Sequence, residues 1–305
     1  MLISIDHGNS QIKTVHDVFP SGYVTNPAMP QMAENWLEYD GNTYALSGSH
    51  VTYRRDKTEN DDYYILTLFA IAMELSRAGL QNADVQLSVG LPPAHLQQLK
   101  DAFYKYMVRD KRTVEFRHNG QDYSIRITGA FVFPQAYAAV YDRYEEISGL
   151  DKAYIVDIGG YTTDVLLLRK GKLDLDCCYS FESGVIKLFT RAASVITSRF
   201  GGTVDESDIR GILAGDQTLL NESMRQTVMG TAQTHAEKLL DSLTANDIDL
   251  KYSPSYFLGG GALLLRELFE HSGSLKRADF VTDTLANAKG YEAMAKAFER
   301  RKQEE

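Results

Sequence analysis

Two short segments of this chain set a carboxylate, glycine and small hydroxyl or amide side chains at the end of an apolar run. The first reads Asp6-His7-Gly8-Asn9-Ser10-Gln11-Ile12-Lys13, and the second reads Asp157-Ile158-Gly159-Gly160-Tyr161-Thr162-Thr163-Asp164. Glycine, lacking a Cβ, lets backbone amides approach phosphate oxygens closely. A carboxylate can hold Mg²⁺ through water, because that ion gives up its hydration shell reluctantly. A lysine or a hydroxyl meets the remaining phosphate charge. Together these are the needs of a nucleoside triphosphate with its metal. The candidate contacts are Gly8, Asn9, Ser10, Gln11 and Lys13 from one segment and Gly159, Gly160, Tyr161 and Thr162 from the other, with Asp6 and Asp157 for Mg²⁺. The plainer reading is a pair of ordinary β-turns.

Three further places join this set. Phe257-Leu258-Gly259-Gly260-Gly261-Ala262 runs from an apolar strand through glycines into a helix, which suits a phosphate or adenosine rest or simply a tight turn. Ser183-Gly184-Val185 opens a helix whose amides would reach a ribose or α-phosphate, or merely cap it. Glu206 and Arg210 would frame the ribose or base, or lie on a solvated face. The seven histidines show no metal-ligand spacing, so no zinc site is expected. His7 is given no chemical role.

The elements that must position these residues follow from periodicity. Leu2–Ile5 and Ala153–Val156 read as strands feeding the two segments, about 150 residues apart. Asp40-Gly41-Asn42 and Asn119-Gly120 mark hairpins at 36–46 and 113–127. Tyr64, Leu68, Ile71 and Leu75 make one buried stripe of a helix opening at Asp61-Asp62, and Leu96, Leu99, Phe103 and Met107 mark another behind Pro92-Pro93. Strand 131–133 meets Pro134, and 135–146 is predicted helical. Paired strands at 164–169 and 172–181 precede helices at 184–199, 205–213 and 221–242. Strand 255–258, strand 279–282 and a helix from 285 onward complete the chain. The expected domains are 1–150 with the final helix at 285–305, and 151–284.

At 305 residues the chain has room for two domains. Its 44% hydrophobic and 24% charged content excludes a disordered protein. A net charge of −9 argues against direct binding to nucleic acid, which needs concentrated Lys and Arg. Adjacent Cys177 and Cys178 read as reduced, packed thiols. The chain opens directly on a strand, its longest apolar run (65–73) is too short to span a bilayer, and its C-terminal end is polar, so a cytoplasmic, membrane-free protein is expected.

The ordered motifs resemble the actin, Hsp70 and sugar-kinase ATPase superfamily. Asp6-x-Gly8…Lys13 resembles its phosphate-1 motif, Pro134-Gln135-Ala136 its connect-1, and Asp157-x-Gly159-Gly160-x-Thr162-Thr163-Asp164 its phosphate-2. Gly259-Gly260-Gly261-Ala262 resembles its adenosine motif, and Asn287-Ala288-Lys289-Gly290-Tyr291 its connect-2. Length and the Asp-Ile-Gly-Gly-x-Thr-Thr-Asp form look most like the ParM (StbA) family of bacterial actin-like plasmid-segregation proteins. The resemblance implies an α/β fold of two similar domains, RNase H-like mixed five-stranded sheets with helices, around a nucleotide cleft. It implies a filament of like subunits that hydrolyses ATP or GTP with Mg²⁺, catalytic Asp6 and Asp157, and Gln135 orienting the attacking water. Its implied partners are a ParR-like DNA-binding adaptor and, through it, a plasmid centromere site. Alternatives on the same fold are a phage, archaeal or cell-shape actin relative and a small-molecule kinase. At this length there is less room than in actin for outer subdomains.

Overall fold

A computed structural model describes residues 1–304 apart from Ser49, Gln217 and Leu219. The final residue of the expected C-terminal helix, Glu305, lies outside the described residues. Contacts divide the chain into unit 1, Met1–Asp142 with Leu285–Glu305, and unit 2, Arg143–Thr284.

Unit 1 is built on β1 (Leu2–His7), β2 (Gln11–Lys13), β3 (Val18–Pro20), β4 (Tyr23–Thr25), β5 (Trp36–Tyr39) and β6 (Asn42–Leu46), then α1 (Asp62–Arg77), β7 (Asn82–Leu91), α2 (Pro93–Val108), β8 (Thr113–His118) and β9 (Gln121–Pro134). Its sheet runs β3-β2-β1-β7-β9-β8-β5-β6-β4. β1–β2–β3 is an antiparallel meander, whereas β7 runs parallel to both β1 and β9, and β9 in turn is antiparallel to β8. The expected five strands are therefore present, but the sheet continues for four more. These enter through two tight turns whose central residues have positive φ, Asp40-Gly41 and Asn119-Gly120, the backbone that matches strand twist in a two-residue hairpin.

α1 is buried on nearly every side, with Tyr63, Tyr64, Leu66, Leu68, Phe69, Ile71 and Leu75 all inaccessible. Burying each such large side chain contributes about 1.5–3 kcal/mol, so α1 anchors the unit and holds the loop before it against the sheet. The predicted stripe on this helix is real but understates its burial. The predicted strand 131–133 is the end of one continuous fourteen-residue β9.

Unit 2 repeats the meander and its parallel extension. α3 (Tyr144–Ser148) leads into β10 (Ala153–Ile158), β11 (Thr163–Arg169) and β12 (Lys172–Phe181), followed by α4 (Val185–Phe200), α5 (Glu206–Leu213) and α6 (Glu222–Ala245). Then come β13 (Pro254–Leu258), α7 (Gly260–Leu264), α8 (Arg266–Glu270) and β14 (Arg277–Phe280). The sheet order is β12-β11-β10-β13-β14, with β10 antiparallel to β11 and parallel to β13. β10 is buried along its whole length, as expected for a central strand covered on both faces. β14 falls two residues earlier than the predicted 279–282. Cys177 and Cys178 are free thiols on β12, and burial raises the Cys178 pKa to about 11, which keeps it protonated and unreactive at neutral pH.

α9 (Ala286–Glu304) returns to unit 1 and packs on β1 and β7. Ser88 on β7 donates to the Tyr291 carbonyl at 2.9 Å. Among the described residues no helix is long and apolar enough to cross a membrane.

Candidate functional site

In unit 1, β1 delivers Asp6 to the mouth of a tight hairpin, where it pairs across the strands with Lys13 while His7 pairs with Ile12. Gly8 is dictated by space, because a Cβ there would lie 2.5 Å from the Gln11 carbonyl oxygen. Asn9 accepts from the Tyr63 hydroxyl of α1 at 2.8 Å, which ties the hairpin tip to the most buried helix. His7 is fully enclosed beneath the hairpin, its Nε2 2.8 Å from Thr67 Oγ1. Burial, and then Lys57 nearby, push its pKa well below the ordinary value, so it stays neutral.

Lys57 is a residue the sequence reading missed. Its ammonium donates to the His7 carbonyl and sits 5.0 Å from the Tyr63 ring centroid, and the side chain is buried. No spacing signal could have found it, since it arrives at the hairpin from a separate loop.

Gln135 does not open a helix. Its N–H donates to Leu91 at 2.8 Å, and the Tyr137 N–H closes on the Gln135 carbonyl at 2.7 Å. Ala136 between them has φ +64°, which a side chain adopts only under strain. The predicted helix 135–146 is thus a three-residue turn, a 3-10 stretch at Ala138–Arg143 and the short α3. Ala136 holds this conformation because its N–H is bonded to the Asn287 side chain at 2.9 Å.

In unit 2 the second hairpin is drawn the same way. Asp157 pairs with Asp164 and Ile158 with Thr163. The Gly159 N–H closes the turn on the Thr162 carbonyl at 2.9 Å, and Thr162 Oγ1 donates to Asp164 at 3.2 Å. The first amides of α4 then bond this loop: Gly184 to Tyr161 at 3.0 Å, Val185 to Gly159 at 3.1 Å and Ile186 to Gly160 at 2.9 Å. The Ser183 N–H is also taken, by the Phe181 carbonyl at 2.8 Å. This corrects the expectation that amides 183–185 are offered to a ligand. Because peptide units are trans, a carbonyl turned toward α4 sends the N–H of the next residue the opposite way. Gly160, Tyr161 and Thr162 therefore direct their amides away from the helix.

The three glycines after β13 do different work. Gly259 has φ +88°, and a Cβ on it would lie 2.5 Å from Asp157 Oδ1, so the glycine run and the Asp157 carboxylate are packed against each other. At Gly261 a Cβ would collide with Ile158 and Val185 at 2.6 and 2.7 Å, whereas Gly260 has open space around it. Ala262 is fully buried in the core, so its side chain supports the turn and is not offered to a ligand. Glu206 and Arg210 bond each other at 2.6 Å, with the guanidinium 4.7 Å from the Phe189 ring centroid.

Asp6 is 4% exposed, and the side chain that meets it is Asn287, whose amide lies 3.5 Å away. A carboxylate so buried is a suitable partner for a hydrated cation. Among the described residues no group of three acidic, histidine or cysteine side chains could hold a metal ion. The Asp6 carboxylate is a hard oxygen donor of the kind that Mg²⁺ takes, directly or through water.

The family model for the N-terminal domain of actin-like proteins matches residues 4–137, and the model for the C-terminal domain of MreB-like archaeal actin homologues matches residues 155–271. A search of curated proteins finds no match. Solved structures match along the whole chain. The archaeal actin homologue Ta0583 in complex with ADP is 18% identical with TM-score 0.73, covering 97% of this chain and 99% of its own. A 15-stranded ParM filament from Clostridium botulinum is 15% identical with TM-score 0.73, over 97% and 99%. ParM from Bacillus thuringiensis with ATP is 14% identical with TM-score 0.67, over 98% of both chains. At these identities the likeness is one of fold.

Proposed function

We propose that this chain, which belongs to the actin-like proteins by both of its domains, binds and hydrolyses ATP or GTP with Mg²⁺ and assembles with copies of itself into filaments. The observation that carries the reading is the duplication: β1–β2 and β10–β11 are equivalent antiparallel hairpins, each with a buried aspartate, Asp6 and Asp157, at its mouth. Gly8, Asn9, Ser10, Gln11 and Lys13 would serve the phosphates from the first hairpin, and the amides of Gly160, Tyr161 and Thr162 from the second. Asp6 and Asp157 would hold Mg²⁺ through water, and that ion would neutralise charge on the terminal phosphates. Gln135 would position water. Gly259 and Gly260 would seat the nucleoside, with Glu206, Arg210 and the Ser183–Gly184 corner near it. Right-angle light scattering of the purified protein with Mg²⁺ and ATP or GTP tests this. A rise that decays as nucleotide is spent is expected, and hydrolysis without any scattering change across a wide concentration range refutes the filament.

For the cellular role, the reading is plasmid segregation in the cytoplasm through a ParR-like adaptor on a centromere site. It is supported by likeness to ParM structures and by a net charge of −9, which suits reaching DNA through another protein. A second reading, an actin-like filament with no plasmid cargo, is favoured by the archaeal family model over 155–271. Deleting the gene separates them: plasmid loss rises under the first reading and is unchanged under the second.

A further inference from the structure

We infer that Asn287 is a positioning residue that couples the Asp6 carboxylate to the turn carrying Gln135. This deepens the proposed nucleotide-hydrolysing role and rests on it. Asn287 stands in the first turn of α9 and is 7% exposed. Its Oδ1 accepts the Ala136 N–H at 2.9 Å, and its Nδ2 faces Asp6 Oδ2 at 3.5 Å. The orientation of the amide follows from chemistry. The Ala136 N–H can only donate, so it requires the oxygen, and an ionised carboxylate can only accept, so it takes the NH₂. The carboxamide presents its acceptor and its donor on two separate atoms at one end of the side chain, so both bonds form at once.

The two groups so joined are the proposed metal-binding carboxylate and the turn of the proposed water-positioning residue. Ala136 at φ +64° fixes the direction in which Gln135 leaves the end of β9, and Asn287 is what holds Ala136 there. On its other side the 3.5 Å contact is long and weak, so the carboxylate is oriented while keeping its capacity to bind a hydrated cation. A movement of Asp6 on binding metal and nucleotide is thereby passed to Gln135 through one side chain.

Two variants separate this from simple packing. Asn287→Asp keeps the size and the acceptor for Ala136 but replaces the donor with a second carboxylate beside Asp6. Asn287→Ala removes both links. Thermal melts without nucleotide, affinity for a fluorescent ATP or GTP analogue in Mg²⁺ and in EDTA, and turnover across a Mg²⁺ titration are the measurements. With Asn287→Ala, turnover falls about 10-fold or more while affinity for Mg²⁺-nucleotide changes less than about 3-fold. With Asn287→Asp, affinity in EDTA falls through repulsion of the phosphates, and the Mg²⁺ midpoint for both binding and turnover shifts about 3-fold or more. The role is overturned if both variants keep wild-type turnover and Mg²⁺ midpoints, or if they lose only thermal stability. A wild-type protein that binds no Mg²⁺-nucleotide refutes the reading of the site and this role with it. A wild type that turns over beside indifferent variants refutes the role alone.

Discussion

Single residues in this protein are set by what surrounds them. Asp157→Ala removes a buried carboxylate packed against Gly259. Hydrolysis measured by phosphate release is expected to fall by roughly 10²-fold or more, and near-normal turnover would refute a metal role. Gln135→Ala leaves the backbone bonds of its turn in place, so nucleotide affinity should hold while turnover drops on the order of 10²-fold. Lost binding would count against water positioning. His118 carries a different consequence. Burial lowers its pKa from 6.5 to about 4, and burial of His7 acts in the same direction. Above pH 6.5 neither the folded nor the unfolded chain is charged at His118. As pH falls from there to about 4, only the unfolded chain takes up the proton. Stability therefore declines over that window, by up to roughly 3 kcal/mol for this residue. Urea midpoints of wild type and His118→Leu should show a shallower acid slope in the variant.

At the scale of elements, the local patterns were legible and the long-range ones were not. The strand–glycine–hydroxyl pattern at Asp157–Asp164 announced a hairpin because its turn is closed within four residues. The α4 amides, by contrast, are consumed by loop carbonyls some 25 residues back, which no local pattern shows. The helix predicted at 135–146 failed because a bond from Asn287, 151 residues away, holds Ala136 out of helical geometry. The hairpins at 36–46 and 113–127 were each readable, yet their joining into a nine-stranded sheet depends on β5 pairing with β8 across the fold. The close fit of α4 on the second hairpin gives a direct test. A Cβ at Gly184 would lie 2.3 Å from the Gly160 carbonyl oxygen. Gly184→Ala is expected to cost about 1–3 kcal/mol and to weaken nucleotide affinity, read by thermal melts and by fluorescent-nucleotide titration. A variant with unchanged melting and affinity would show that the loop yields freely.

For the molecule as a whole, charge and chain order have consequences of their own. Subunits carrying −9 repel one another, and added salt screens that repulsion. The lowest protein concentration that gives light scattering should therefore fall as KCl rises from about 50 to about 200 mM. A rise would place attractive ion pairs at the filament contact. The return of α9 to unit 1 has a further effect during synthesis. Every residue of unit 2 leaves the ribosome before Asn287 does, so Asp6 meets its partner 281 positions later. A nascent chain, however long it lingers on the ribosome, lacks a finished first unit until α9 emerges.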